Sequence, residues 1–308
     1  MSRLFTFGCS FTQYTWPTWA NMLGIEYDEF YNWGLSGIGN RAIAERVAEA
    51  HAKHQFTKDD VVIVQWSSHL RNDWYHKYSF PDRGYGWKTC GSVFSYINEK
   101  LYDQNWIQTF FYEPAYVMHT LNNVVLVQSL LNSIGCTWYM TSIGDLRNIG
   151  ADTRDDISYG EKGNITTPND KFTDQVLWQK LPELEIYNDV IWNQHANHWL
   201  MPIDIFVQKF DNSYSYTYRD DTFFGKKTYA VDLHPTPKQH LMWIKHELLD
   251  KLDISHETLE LSEQISNYVD KLYEKYKNSK EAFTIKLLDR AILSITDKLK
   301  WPPYTHGF

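Results

Sequence analysis

Phe5-Thr6-Phe7-Gly8-Cys9-Ser10-Phe11-Thr12 decides how the rest of the chain is read. A short apolar strand runs straight into Gly-x-Ser and then into a segment with helix-start chemistry. A serine at such a strand-to-helix turn is exposed at the end of the strand, and backbone N–H groups at the helix start stabilise an anion beside it. That is the setting of a serine nucleophile. Gly-x-Ser alone is common by chance, so the reading rests on a second element, Asp232-Leu233-His234-Pro235. Its aspartate and histidine complete the chain order Ser…Asp…His.

Outward from that stretch, the first 145 residues alternate strand and helix. Strands are expected at Leu4–Phe7, Glu29–Trp33, Val61–Trp66 and Cys136–Thr141. Helices are expected at Trp16–Leu23, at Arg41–His54 with Asn40 as N-cap, and from Pro114 to Ser133 with Gly135 as the stop. The run Val61–Trp66 is continuously apolar, as suits a buried parallel strand. Such alternation predicts an α/β fold with a parallel sheet, right-handed crossovers and helices on both faces. Two long stretches interrupt it, an aromatic and turn-rich one over 69–108 and a Gly/Asn/Asp/Thr-rich one over 144–223. Loops of that length in a compact domain are usually lids or binding loops. Beyond Asp232 the chain turns helical. Thr236 caps a helix with Pro237 in its first position, running to about Leu252. Two further apolar stripes (Leu261, Ile265, Val269, Leu272, Tyr276, and Leu288, Ile292, Ile295, Leu299) predict a C-terminal helical hairpin. The division expected is therefore a domain over 1–253 with insertions at 69–108 and 144–223, and a helical extension over 254–308. The surplus apolar surface of that hairpin meets either its own core, the default, or another chain. The terminal Trp301-Pro302-Pro303-Tyr304 keeps self-association or a protein partner in play.

Composition removes several function classes. Of the 308 residues, 43% are hydrophobic and 22% charged, an ordinary globular balance, and a net charge of −8 without a basic tract argues against nucleic acid. Cys9, Cys90 and Cys136 are spaced neither as a disulfide framework nor as a metal site. The N-terminus has no basic-then-apolar leader and no run approaches a membrane span, so a cytoplasmic protein with no membrane partner is expected. Aromatics are the outlier at 16%, with 13 Trp and 21 Tyr. They serve either to pack the insertions onto the core or as flat platforms for sugar rings.

These pieces resemble the SGNH (GDSL-type) hydrolases, a flavodoxin-like three-layer α/β/α family of esterases, lipases and carbohydrate deacetylases. Gly8-Cys9-Ser10 stands where that family carries its nucleophile block, which implies Ser10. Asn32-Trp33-Gly34-Leu35-Ser36-Gly37 matches the block whose glycine N–H lines the oxyanion hole, which implies Gly37. His234-Pro235 matches the block of the base histidine. The likeness covers residues 1–70 and 228–250, and its wording is most similar to SGNH-type proteins of tailed bacteriophages, which would make the chain virion-associated. Two departures stand out. The turn after the third strand reads Trp66-Ser67-Ser68 where the family has Gly-x-Asn-Asp, so the carboxamide donor is missing and Ser67 or Ser68 would have to substitute. Asn72 lies four residues late. The acid sits at Asp232-x-His234, one residue tighter than the family's spacing, so Asp232 either orients His234 or fixes the turn.

The resemblance implies a serine esterase working through an acyl-enzyme on Ser10, with no cofactor or metal. An O-acetylated glycan is the preferred ester substrate. The rival is a non-catalytic structural or glycan-binding protein that keeps the fold. Other motifs read as structural. His51-x-x-His54 and His195-x-x-His198 lack a third ligand. Gly34–Gly39 lacks the Gly-Lys-Ser/Thr ending of a phosphate loop. Cys9 should point away from Ser10, into the core.

Overall fold

A computed structural model of the chain describes residues 2–14, 16–77, 85–93, 102–146, 184–211, 216–220, 228–232 and 234–277. The protein is mixed α/β around a four-stranded parallel sheet in the order β2-β1-β3-β6, formed by β1 (Arg3–Phe7), β2 (Glu29–Asn32), β3 (Asp60–Trp66) and β6 (Thr137–Ser142). The register runs Phe5 beside Tyr31 and Val62, and Ile63 beside Tyr139. Leu4, Phe5, Phe7, Val62, Ile63, Val64 and Trp66 are buried to the last few per cent, the continuous burial of a sheet covered on both faces. The connection from β1 to β2 carries α1 (Trp19–Leu23). Those from β2 to β3 and from β3 to β6 carry α2 (Asn40–His54) and α4 (Glu113–Ile134), which pack together. Because the first connection steps one way along the sheet and the others step back, right-handed crossovers put α1 on one face and α2 and α4 on the other. α7 (Pro237–Glu247) joins α1. Helices on both faces are compatible with a three-layer α/β/α arrangement.

Several boundaries differ from expectation for local reasons. α1 begins three residues late, because Thr18 and Asn21 form a reciprocal cap just before it. Gly39, not Asn40, caps α2, which frees the Asn40 carboxamide to accept from Ser67 N–H at 2.7 Å and donate to Ser67 O at 2.9 Å. α7 ends at Glu247 rather than near Leu252. Its start is as read, with Thr236 Oγ1 accepting from Gln239 N–H and Pro237 in the first turn.

The two interrupting stretches hold structure beyond the one short helical piece, Pro182–Trp192, that the sequence suggests there. Within the first, β4 (Arg71–Lys77) pairs antiparallel with β5 (Tyr85–Ser92), and α3 (Gln104–Phe110) follows. Within the second are α5 (Leu184–Tyr187), a wider turn over Asn188–Asn193, α6 (Ile203–Phe210) and β7 (Thr217–Asp220), which pairs antiparallel with β8 (Thr228–Val231) just beyond the stretch. Leu200 N–H donates to Met140 O at 2.8 Å, extending the sheet edge by one bridge.

α8 (His256–Tyr276) packs on α7 and α1. Its buried face is Ser262, Ile265, Ser266, Val269 and Tyr273, while Leu261 and Leu272 are half-buried. Two serines on that face let the helix approach closely, and Ser266 Oγ satisfies itself on Ser262 O at 2.8 Å. The second stripe, Leu288 to Leu299, and the Trp301–Tyr304 tail lie outside the described residues. Most tryptophans serve the core: Trp19, Trp33, Trp66, Trp138 and Trp243 are buried, whereas Trp74 is half exposed.

Candidate active site

β1 ends at Gly8, whose φ of +154° and surroundings admit no side chain. A Cβ there would lie 2.2 Å from Thr12 Oγ1 and 2.9 Å from Gln65 Cβ. The strand does not run directly into α1, as the sequence suggests. It enters a single turn in which Cys9 O accepts from the N–H groups of Thr12 and Gln13 at 2.9 and 3.0 Å. The turn is fastened from below. Thr12 Oγ1 donates to Gln65 Oε1 at 2.7 Å, and Thr12 O accepts from Thr18 Oγ1 at 2.7 Å and from Asn32 Nδ2 at 3.0 Å. Cys9 is wholly buried in the core, and Ser10, itself only 4% exposed, turns its hydroxyl to the other side, toward His234 rather than to open solvent.

Across from it, α7 and the segment before it bring in Asp232 and His234. His234 Nε2 lies 2.8 Å from Ser10 Oγ, and His234 Nδ1 lies 2.6 Å from Asp232 Oδ1. The tight spacing works because one carboxylate oxygen serves twice. Oδ1 also accepts the backbone N–H of His234 at 2.9 Å, so Asp232 fixes the turn and orients the ring together. Its other oxygen, Oδ2, accepts from the Tyr14 hydroxyl at 2.7 Å. Burial alone would push the Asp232 carboxyl up. The hydrogen bond and charge of His234, its N–H and the Tyr14 hydroxyl outweigh that and hold it below its ordinary value. The carboxylate therefore stays ionised, keeps the proton on Nδ1, and leaves the Nε2 lone pair toward Ser10.

The imidazole is also held by rings. Tyr14 stacks on it with centroids 3.8 Å apart, and Phe11 meets it edge-on at 5.3 Å. Trp16 Nε1 donates to Pro235 O at 2.9 Å, and Asp232 N–H donates to Tyr216 O at 2.7 Å. His240 sits one turn on. Burial, and then the nearness of His234, push it down to about 3, so it is neutral and adds no competing charge.

The glycine loop follows β2 alongside the nucleophile turn, with Leu35 N–H donating to Gly8 O at 2.9 Å. Gly37 has φ +78°, the left-handed region that favours glycine. Among the described residues the N–H groups of Ser10 and Gly37 meet no acceptor, leaving two donors open to an oxyanion. Of the two substitutes for the missing carboxamide, Ser67 is committed elsewhere. It is 1% exposed and its hydroxyl donates to Ile38 O at 2.8 Å, so the expectation that it aids an oxyanion is corrected. Ser68 is half-buried and its Oγ accepts from Leu70 N–H at 3.2 Å, which leaves its own proton available.

Sequence reasoning missed Tyr14. An aromatic four residues past the Gly-x-Ser serine was its only signal, and the partner it serves is far along the chain. The histidine pairs are structural: His51 Nδ1 accepts from Phe56 N–H at 3.1 Å, and His198 stacks on Trp138 at 4.0 Å. A groove of about 990 Å³ between α2 and α4 contains none of the triad. The groove meets the glycine loop through two of its lining residues, Asn40, which follows Gly39 in the chain, and Arg71, whose Nη1 donates to Ile38 O at 3.1 Å. Compared with family models, curated proteins and solved structures, the chain finds no match in any of the three.

Proposed function

We propose that the chain is a serine ester hydrolase of the SGNH type, with the flavodoxin-like architecture that family implies. The observation carrying this reading is the unbroken relay Asp232 Oδ1–His234 Nδ1 at 2.6 Å and His234 Nε2–Ser10 Oγ at 2.8 Å. A capping serine or a turn histidine needs no such partners.

His234 takes the proton from Ser10 Oγ as the oxygen attacks the ester carbonyl. The carbonyl oxygen becomes an anion facing the N–H groups of Ser10 and Gly37, helped by the Ser68 hydroxyl. The tetrahedral species collapses to the acyl-enzyme, and His234 returns the proton to the departing alcohol. Water then repeats the sequence on the acyl carbon, giving the carboxylic acid and free Ser10. Asp232 and Tyr14 keep the ring in register throughout. An O-acetylated glycan is the proposed substrate, because exposed Trp74 and Phe110 flank a groove beside the glycine loop and offer faces for sugar rings.

The rival reading, a non-catalytic particle component, is favoured by one observation, the commitment of Ser67 to Ile38. Losing one oxyanion donor costs about 10²–10³ in rate, which slows an esterase without abolishing it. p-Nitrophenyl acetate separates the two. The chain is expected to hydrolyse it, and Ser10→Ala to remove the activity. Equal rates for wild type and Ser10→Ala would leave the rival.

A further inference from the structure

The β4–β5 hairpin is an insertion that the hydrolytic machinery does not use directly, yet it grips the glycine loop at four points. Thr89 Oγ1 donates to Ser36 O at 2.9 Å, and Gly91 N–H donates to Gly37 O at 3.0 Å. Arg71 Nη1 donates to Ile38 O at 3.1 Å, and Asp73 Oδ2 accepts from Gly39 N–H at 2.7 Å. Ser67 Oγ adds a second donor on Ile38 O. The loop is thus fixed on both sides of the Gly37 N–H, which itself meets no acceptor among the described residues.

Asp73 is the unusual member. It is 5% exposed, and its second oxygen, Oδ1, has no partner among the described residues. A buried acceptor left unpaired costs about 1–3 kcal/mol, so a residue chosen for stability alone would not be a carboxylate here. The fit is also close. A Cβ on Gly39 would stand 2.8 Å from Asp73 Oδ2 and 3.0 Å from Arg71 Cβ, so glycine is what lets the strand reach the loop. Burial pushes the carboxyl up to about 7, against the pull of the Gly39 N–H, Arg71 and Arg41, and with a push from Glu45.

We infer that Asp73 is a positioning residue: through Gly39 it aims the Gly37 N–H at the oxyanion, so the hairpin supplies rigidity where the family's carboxamide is missing. This rests on the esterase reading. The plainer role is a charge at the N-terminus of α2, which stabilises that helix and leaves turnover alone.

The test measures p-nitrophenyl acetate hydrolysis by Asp73→Ala, Asp73→Asn and Thr89→Val, with amide exchange at Gly37–Gly39. Asp73→Ala is expected to lower kcat about tenfold or more at unchanged KM, since misaiming a donor approaches the about 10²-fold cost of losing it. Asn keeps an acceptor oxygen of the same reach, so Asp73→Asn recovers most of that rate. The loop amides exchange faster in Asp73→Ala. If Asp73→Ala does not fold, Thr89→Val carries the test, with a several-fold fall in kcat. An active wild type whose kcat is unchanged in Asp73→Ala and Thr89→Val overturns this inference alone, as does an Asn variant as slow as the Ala variant. A wild type that neither turns over nor reacts at Ser10 overturns the esterase reading and the donor role with it.

Discussion

The ring of Tyr14 lies flat on the imidazole of His234, with centroids 3.8 Å apart and planes 18° from parallel. The same residue donates its hydroxyl to Asp232 Oδ2 at 2.7 Å, so one side chain steadies both partners of Ser10. Removing the hydroxyl and removing the ring should therefore have separable effects. A hydrogen bond to a charged group nets about 1.5–3 kcal/mol, and about 1.4 kcal/mol is tenfold in rate. Tyr14→Phe is expected to lower kcat for p-nitrophenyl acetate about tenfold, and Tyr14→Ala to lower it further because the stack is lost as well. Two variants of equal rate would show that the ring contributes nothing.

Gly8 is the position with the least freedom in the nucleophile turn. Its φ of +154° and the 2.2 Å approach to Thr12 Oγ1 combine a backbone cost with a steric one, on the order of 3 kcal/mol together. Gly8→Ala should lose that much stability in urea and should also lose reactivity at Ser10. A variant as stable as wild type would mean the turn relaxes around the methyl group.

Asp73 gives stability a pH dependence of defined sign. Its carboxyl sits at about 7 in the folded chain, above its unfolded value of 3.8, so the folded state binds the proton more tightly. That contribution is complete below the unfolded value and is lost as pH rises from about 4 to about 7, then stays flat, for a total of at most about 4 kcal/mol. Asp232 runs the other way, its stability lost as pH falls through its lowered folded value. Relative to Asp73→Asn, wild type should therefore lose urea resistance between about pH 4 and about pH 7. Parallel curves for the two proteins over that range would remove the buried charge from the account.

α8 is tied through Tyr216 to the segment that carries Asp232. Tyr273 stacks on Tyr216 at 4.4 Å, Asp270 Oδ1 accepts from the Tyr216 hydroxyl at 2.7 Å, and Trp16 meets Tyr216 edge-on at 5.1 Å. Ending the chain at Asp253 removes the burial of Ile265, Val269 and Tyr273, roughly 5–9 kcal/mol at about 1.5–3 each, comparable to the whole stability of a domain. Such a chain is expected to be insoluble or unreactive at Ser10. A soluble, folded product that still reacts would make the helix an appendage.

What could be read from the sequence was whatever short-range pattern carries. Val61–Trp66 reads as a buried strand because every residue in it but Gln65 is apolar, and Thr236-Pro237 reads as a helix start because both residues act within one turn. Ser10 and His234 stood out by their local surroundings. Tyr14, Asp73 and the hairpin did not, because each acts on a backbone group or ring brought close only by the fold. Asp73 serves Gly39 across two elements, and the Arg71–Lys77 strand is too polar for its pattern to show. The α8 stripe was legible at Ile265 and Val269, which are buried, but not at Ser262 and Ser266, which are small enough to be buried and do not count as apolar in a pattern search.

The central claim is that Ser10 is activated by His234, and a fluorophosphonate probe reads it without knowledge of the substrate. Mass analysis of peptides from the treated protein should place one adduct on Ser10. Labelling should vanish in Ser10→Ala and fall by orders of magnitude in His234→Ala, because the base that draws off the proton is gone. An unlabelled wild type, or a His234→Ala variant labelled as fast as wild type, would contradict the account: the 2.8 Å contact between His234 Nε2 and Ser10 Oγ would then be structural.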